Sequence, residues 1–235
     1  EGDDEQEDTY FSLENNADDT IKSGTRIVAI KKEWIYVPFN FRQEGRVSKL
    51  KKALKDNSIA IPSNGKEVRD LLEDKGKRKI LVEIFKNKVT GDLNTNSMTL
   101  YSGLEAKHRG RAFQFNIFRR YCRYRGCCCN DLEPGCLYTG DYELNGPMKW
   151  KNFITNYDKY LEKVGTIQIP HHGSHNNYNK ELNTLGCWDY IISAGLTNKH
   201  HHPHKSVLKD ILFSGKNLSV VTENVGSGVT YLIEF

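Results

Sequence analysis

The sequence predicts an α/β fold, and three observations carry that reading: short β-branched runs recur along the chain, amphipathic stripes lie between them, and no internal repeat is present. Strand-like runs are Arg26 to Ile30, Trp34 to Phe39, Ile80 to Phe85, Ser97 to Tyr101 and Phe113 to Phe118. They continue with Cys136 to Thr139, Thr166 to Ile169, Tyr190 to Ser193, Ser219 to Thr222 and Val229 to Phe235. Helical spacing is carried by Val47, Leu50 and Leu54, then by Trp150, Phe153, Ile154, Tyr157 and Leu161, and by Ser206 to Phe213 with Val207, Leu208, Ile211 and Leu212 on one side. Each such stripe needs an apolar partner, so sheets covered by helices are expected.

At 235 residues the chain can bury a substantial core. Its hydrophobic content of 37% and mean hydropathy of −0.64 are lean for a self-sufficient α/β domain, which predicts that part of the apolar partner surface lies elsewhere. The opening Glu1-Gly2-Asp3-Asp4-Glu5-Gln6-Glu7-Asp8 reads as an acidic loop entered midway; it has neither the basic region nor the apolar stretch of a signal peptide. No run approaches the roughly 18 apolar residues that a membrane-spanning helix needs. Neither Asn64-Gly65-Lys66 nor Gly226-Ser227-Gly228 has P-loop spacing, which argues against nucleotide-triphosphate chemistry.

The formal charge of +4 is unevenly spread. Residues 1–20 hold nine acids and no base, whereas residues 107–126 hold seven Lys or Arg and no acid. In that basic stretch Arg109, Arg111, Arg119, Arg120, Arg123 and Arg125 alternate with Phe113, Phe115, Phe118, Tyr121 and Tyr124. Guanidinium groups suit backbone phosphates and aromatic rings suit stacked bases, so the stretch is a candidate nucleic-acid surface; the alternative is a strand with one apolar and one solvated face. The same region concentrates Cys122, Cys127, Cys128, Cys129 and Cys136. Clustered thiols without a secretory signal point to a reducing, cytoplasmic compartment rather than a disulfide framework. They form either a candidate structural zinc site or a set of free buried thiols, since the spacing Cys-x4-Cys-Cys-Cys-x6-Cys is not that of paired Cys-x2-Cys knuckles. Cys187 has no local base and is a poor candidate nucleophile.

The densest chemistry lies further on. Seven of the eight histidines fall at 171, 172, 175, 200, 201, 202 and 204. Ile167-Gln168-Ile169-Pro170-His171-His172-Gly173-Ser174-His175 places imidazoles directly after a strand, Cys136-Leu137-Tyr138-Thr139-Gly140-Asp141 ends another strand in acid, and Asn198-Lys199-His200-His201-His202-Pro203-His204 follows a third. Imidazole nitrogen and carboxylate oxygen are the ligands that zinc and manganese favour, and a carboxylate can bridge two ions. Asp141 is therefore the candidate bridging ligand, with His171, His172 and His202 as candidate terminal ligands. Were His171 and His172 to lie on a strand, only one would face inward, and the sequence does not say which. Ser174, His175 and Asn198 would support those ligands or touch substrate.

These motifs, with Asn94-Thr95-Asn96-Ser97-Met98-Thr99-Leu100-Tyr101 upstream, and Ser193-Ala194-Gly195, Val221-Thr222-Glu223-Asn224 and Gly226-Ser227-Gly228 downstream, resemble the C-terminal half of a metallo-β-lactamase-fold hydrolase. The resemblance covers roughly residues 90 to 235 and is nearest to the soluble domain of ComEC-type DNA-uptake channels and their free-standing relatives. It implies an αββα sandwich, of which this chain would supply the C-terminal portion. It also implies a dinuclear Zn2+ or Mn2+ site, with Asp141 and His172 among the catalytic positions. The domain would run from 23 to 235, preceded by an acidic loop or tail at 1–22 and carrying a basic Cys/Arg-rich insertion at about 104–136.

One departure qualifies the resemblance. Members of this fold carry an N-terminal His-x-His-x-Asp-His motif or a variant of it, yet the only histidine before residue 171 is His108. The missing ligands are expected from an N-terminal half absent from this chain, from a companion chain, or not at all if the site has decayed. The expected function is metal-dependent hydrolysis, as a phosphodiesterase or nuclease; the alternatives are a catalytically degenerate module that binds nucleic acid or a partner subunit, and hydrolysis of a small phosphoester or C–N bond.

Overall fold

The computed structural model describes residues 21–29, 33–89, 91, 96–105, 107–115, 132–224 and 226–234. In chain order these form β1 (Ile27–Val28), β2 (Trp34–Asn40), α1 (Glu44–Asp56), α2 (Gly65–Glu73), α3 (Lys75–Asn87), β3 (Met98–Leu104), β4 (Arg111–Phe115) and β5 (Gly135–Tyr138). There follow α4 (Pro147–Tyr157), β6 (Val164–Gln168), β7 (Asp189–Ser193), α5 (Lys205–Phe213), β8 (Asn217–Val221) and β9 (Thr230–Glu234). The fold is mixed α/β. A seven-stranded sheet has the order β1-β2-β3-β5-β6-β7-β8, and β4 pairs with β9 in a separate two-stranded sheet.

Strands β1, β2, β3 and β5 pair antiparallel, whereas β5, β6, β7 and β8 run parallel. Parallel neighbours need crossover connections, and α4 and α5 supply two of them. The parallel strands consequently end at one edge, where the loops after β5, β6 and β7 meet; this is where α/β sheets commonly place ligands.

One face of the sheet carries the main core. Ile35, Val37, Tyr101, Leu137, Ile167, Tyr190 and Ile192 alternate along successive strands and pack against Phe153 and Tyr157 of α4 and Val207 and Ile211 of α5. Phe153 and Tyr157 are one turn apart and meet edge-on at 5.2 Å, so the stripe seen in the sequence is the face that is buried. Truncating Phe153, which is fully buried, to Ala should cost about 3–5 kcal/mol. On the opposite face the β4–β9 layer is tied down by Tyr231, whose hydroxyl donates to Asp189 Oδ2 at 3.1 Å.

Helices α1, α2 and α3 have a smaller core of their own, built from Ala53, Leu54, Ile59, Leu71, Leu81, Ile84 and Val89. Here the expected strand Ile80 to Phe85 is corrected, because that segment lies inside α3. Asp74 caps the helix by accepting from the backbone N–H of Gly76 and Lys77, and Leu81 and Ile84 recur at helical spacing into the small core. Capping and tertiary burial outweigh the β-propensity of Ile80, Leu81 and Val82, of which Ile80 and Val82 are exposed. Asn64-Gly65-Lys66 is the start of α2: Asn64 accepts from the Glu67 N–H, and the Glu67 carboxylate accepts from the Ser63 N–H.

Candidate functional site

Three loops converge at the C-terminal ends of β5, β6 and β7. A cleft of about 620 Å³ opens there, with Asp141, His171, His175, His200, His202 and His204 among its lining residues, and with Glu143, Ser174, Asn176 and Asn177 completing the wall.

Backbone contacts hold the first two loops together. Gly140 adopts φ +51, and a side chain there would meet the Met98 carbonyl at 3.1 Å, so the Thr139-Gly140-Asp141 turn requires glycine. The Gly140 carbonyl then accepts from the His171 N–H at 2.9 Å, Thr139 Oγ1 donates to the Gln168 carbonyl at 2.6 Å, and Asn177 Nδ2 donates to the Asp141 carbonyl at 3.0 Å. Asp141 is thereby seated beside the histidine loop.

His171 and His172 do not lie on a strand. They occupy a 3-10 turn with φ of 47° and 55°, a region that non-glycine residues seldom adopt, so strand alternation does not decide their directions. His171 turns into the cleft. His172 is exposed and is not among the cleft-lining residues; its Nδ1 donates to the Ser193 carbonyl at 2.6 Å, which leaves a lone pair on Nε2. That is the ring form of a metal ligand, and its ring centre lies 5.9 Å from that of His171.

The third loop packs against the second with no room for a side chain at Gly173, where a Cβ would lie 2.7 Å from Pro203 Cβ and φ is +81. The Gly173 carbonyl accepts from the His204 N–H at 3.0 Å. Asn198 fixes the loop internally: its Nδ2 donates to the carbonyls of Gly195 at 2.6 Å and His202 at 2.7 Å, and its Oδ1 accepts from the His202 N–H at 2.7 Å. Asn198 therefore acts as a brace. Beside it, both carboxylate oxygens of Glu223 accept from the Leu196 N–H at 3.0–3.1 Å; its own backbone N–H first, and then that of Leu196, hold this acid below the usual carboxylate range.

The His171 and His202 rings lie 5.7 Å apart, centre to centre, at 67°. Each has a buried Nδ1 with no hydrogen-bond partner among the described residues. Buried polar atoms are nearly always paired, and a cation or an ordered water is what such a nitrogen takes. Two imidazoles sharing a tetrahedral zinc, with Zn–N of about 2.0–2.1 Å, place their ring centres roughly 5 Å apart, close to the observed separation. Burial, followed by the neighbouring imidazoles of His171, His200, His172 and His204, pushes the His202 pKa below 6.5 and favours the neutral, ligand-competent ring. Among the described residues, however, no group of three His, Cys, Asp or Glu side chains converges closely enough to hold a metal ion by itself. The residues present fit part of a ligand set.

Of the other residues singled out in the sequence, Ser174 is buried and His175 exposed, and both line the cleft. Cys136 lies half-buried on β5, its thiol pushed up to about 12 chiefly by burial, so it stands as the neutral thiol at neutral pH. Arg119, Arg120, Arg123, Arg125, Cys122, Cys127, Cys128 and Cys129 lie outside the described residues, as does the acidic run 1–20. His200 and His204, which the sequence grouped in the third histidine loop without a role of their own, share the cleft with Glu143, which it did not single out. The signal for His204 was available, as it stands immediately before a helical stripe, in the N-cap position.

The fold and site thus define a mixed α/β chain with a histidine-rich cleft at the ends of its parallel strands. Over 74 residues it is 38% identical to ComE operon protein 3 of Bacillus subtilis (strain 168), an alignment that takes in 31% of this chain and 9% of that much longer protein. No protein family model and no solved structure matches the chain. Among the described residues no helix is long and apolar enough to cross a membrane.

Proposed function

We propose that the chain forms the C-terminal part of a metallo-β-lactamase-fold hydrolase that cleaves phosphodiesters with divalent metal, in the ComEC-type branch that its motifs resemble. The observation that carries this reading is the pair of buried, unpartnered ring nitrogens on His171 and His202, 5.7 Å apart by ring centre in a cleft shared with Asp141. The similarity to ComE operon protein 3 supports the choice of branch.

His171 and His202 would hold the metal from the second and third loops, and Asp141 would bridge from the first. Bound zinc or manganese supplies Lewis-acid polarisation of a phosphoryl oxygen and a nucleophile at neutral pH. Asn198 keeps the His202 loop in place through three hydrogen bonds, and Gly173 lets the two histidine loops close on each other. The remaining ligands would come from a segment outside this chain, in the same polypeptide or a companion. The partner nucleic acid would meet the basic stretch at 107–126.

A second reading, a non-catalytic module that binds nucleic acid or a partner subunit, is favoured by the lack of a three-ligand group among the described residues. The two separate in an assay of a chromogenic phosphodiester and of single-stranded and duplex DNA, with zinc or manganese. The 235-residue chain alone is expected to show negligible turnover. A polypeptide completed with a His-x-His-x-Asp-His segment should turn over, and its Asp141→Ala form should not. A completed protein that stays inactive would establish the non-catalytic module.

A further inference from the structure

The outer wall of the cleft carries a second histidine pair, His175 and His204, whose rings lie 4.5 Å apart at 38°. The proton on His204 can be placed. Its Nδ1 accepts from the Ser206 backbone N–H at 3.3 Å as the N-cap of α5, and it lies 2.8 Å from Ser206 Oγ. A backbone N–H can only donate, so Nδ1 keeps its lone pair and Nε2 bears the ring proton. His204 is thus the opposite tautomer to His172, whose Nδ1 faces a carbonyl. One ring keeps an Nε2 lone pair and the other keeps an Nε2–H, and only His204 of the two lines the cleft.

We propose that His204, with His175 beside it, is an oxyanion-binding residue that holds a phosphoryl oxygen of the substrate through its Nε2–H. This rests on the phosphodiester reading given above. The site is built for that task. The ring is anchored at the far nitrogen, its backbone N–H is fixed on Gly173 at 3.0 Å, and it opens into the cleft that holds His171 and His202. Of the two carboxylates in that wall, Glu143 is neutralised by Lys149 Nζ at 3.0 Å. Asp141, which remains, is the proposed metal ligand, so anion binding without metal should be weak but measurable.

The test uses the full 235-residue chain, free of metal, with inorganic phosphate and thymidylyl-thymidine as probes, followed by imidazole nitrogen and proton NMR. His204 is expected to show the Nε2–H tautomer, and its signals and those of His175 should move on addition of either probe. His204→Asn and His204→Gln then separate anchoring from binding. Asn retains an oxygen near the Nδ1 position and should keep the helix cap and the melting temperature, yet weaken phosphate binding by about tenfold through loss of one hydrogen bond to a charged oxygen. Gln places an amide N–H near the Nε2 position and should lose the cap while binding phosphate within about twofold of the parent. A purely structural His204 would give the reverse ranking. An Nδ1–H tautomer, unchanged phosphate affinity in His204→Asn, or no response to either probe would each overturn the proposal. Because the readout needs no turnover, an inactive completed protein that still shows the crossed pattern would refute the hydrolase and leave the oxyanion site standing.

Discussion

His171 and His202 come from loops 31 residues apart in sequence, and their rings lie 5.7 Å apart with a buried, unpartnered Nδ1 on each. Two imidazoles left in that condition are better suited to sharing a cation than to filling a core, since a core would leave neither nitrogen without a partner.

The closeness of those loops depends on Gly173. In Gly173→Ala the new Cβ would lie 2.7 Å from Pro203 Cβ and the backbone would keep a φ unfavourable to alanine. A loss of about 1–3 kcal/mol is expected. Urea denaturation measures it; a variant as stable as the parent would mean that the loops separate freely.

Asn198 is predicted to act on His202 alone. Asn198→Ala removes three hydrogen bonds that fix the loop, at an expected cost of about 1–3 kcal/mol, and should weaken zinc binding by about 10–100-fold. Calorimetric zinc titration would show it, while imidazole NMR should leave the His172–Ser193 contact unchanged.

These loop contacts were only partly legible in the sequence. The succession of strands along the chain and the meeting of three loops rich in His and Asp could be read because strand-like runs precede Asp141, His171 and the 200–204 cluster. The inward-facing member of His171-His172 could not, since both adopt positive φ in a turn rather than strand geometry. Ile80 to Phe85 misled for another reason. Its β-branched residues belong to α3, whose cap at Asp74 and burial against α1 and α2 override local propensity. The role of Asn198 depends on hydrogen bonds inside a loop, which no periodicity reveals.

Asp189 predicts a pH effect far from the cleft. Burial raises its pKa above 3.8, although Asn217 and Tyr231 both donate to the carboxylate. The unfolded chain therefore gives up this proton at lower pH than the folded one. Stability contributed by Asp189 is fully present below about pH 3.8 and declines as pH rises from there through the raised folded pKa. Asp189→Asn should flatten that part of the stability–pH curve. Tyr231→Phe, which removes one of the two donors, should raise the folded pKa further and cost about 1–3 kcal/mol.

Zinc binding by the chain alone tests the central claim, that His171 and His202 form part of a metal site. In isothermal titration at neutral pH, the parent should bind one zinc ion weakly. His171→Gln and His202→Gln should each abolish that binding, whereas His175→Gln should leave it within about threefold, because the His175 ring packs on His204 rather than orienting either ligand ring. Zinc affinity unchanged in both His171→Gln and His202→Gln would contradict the account.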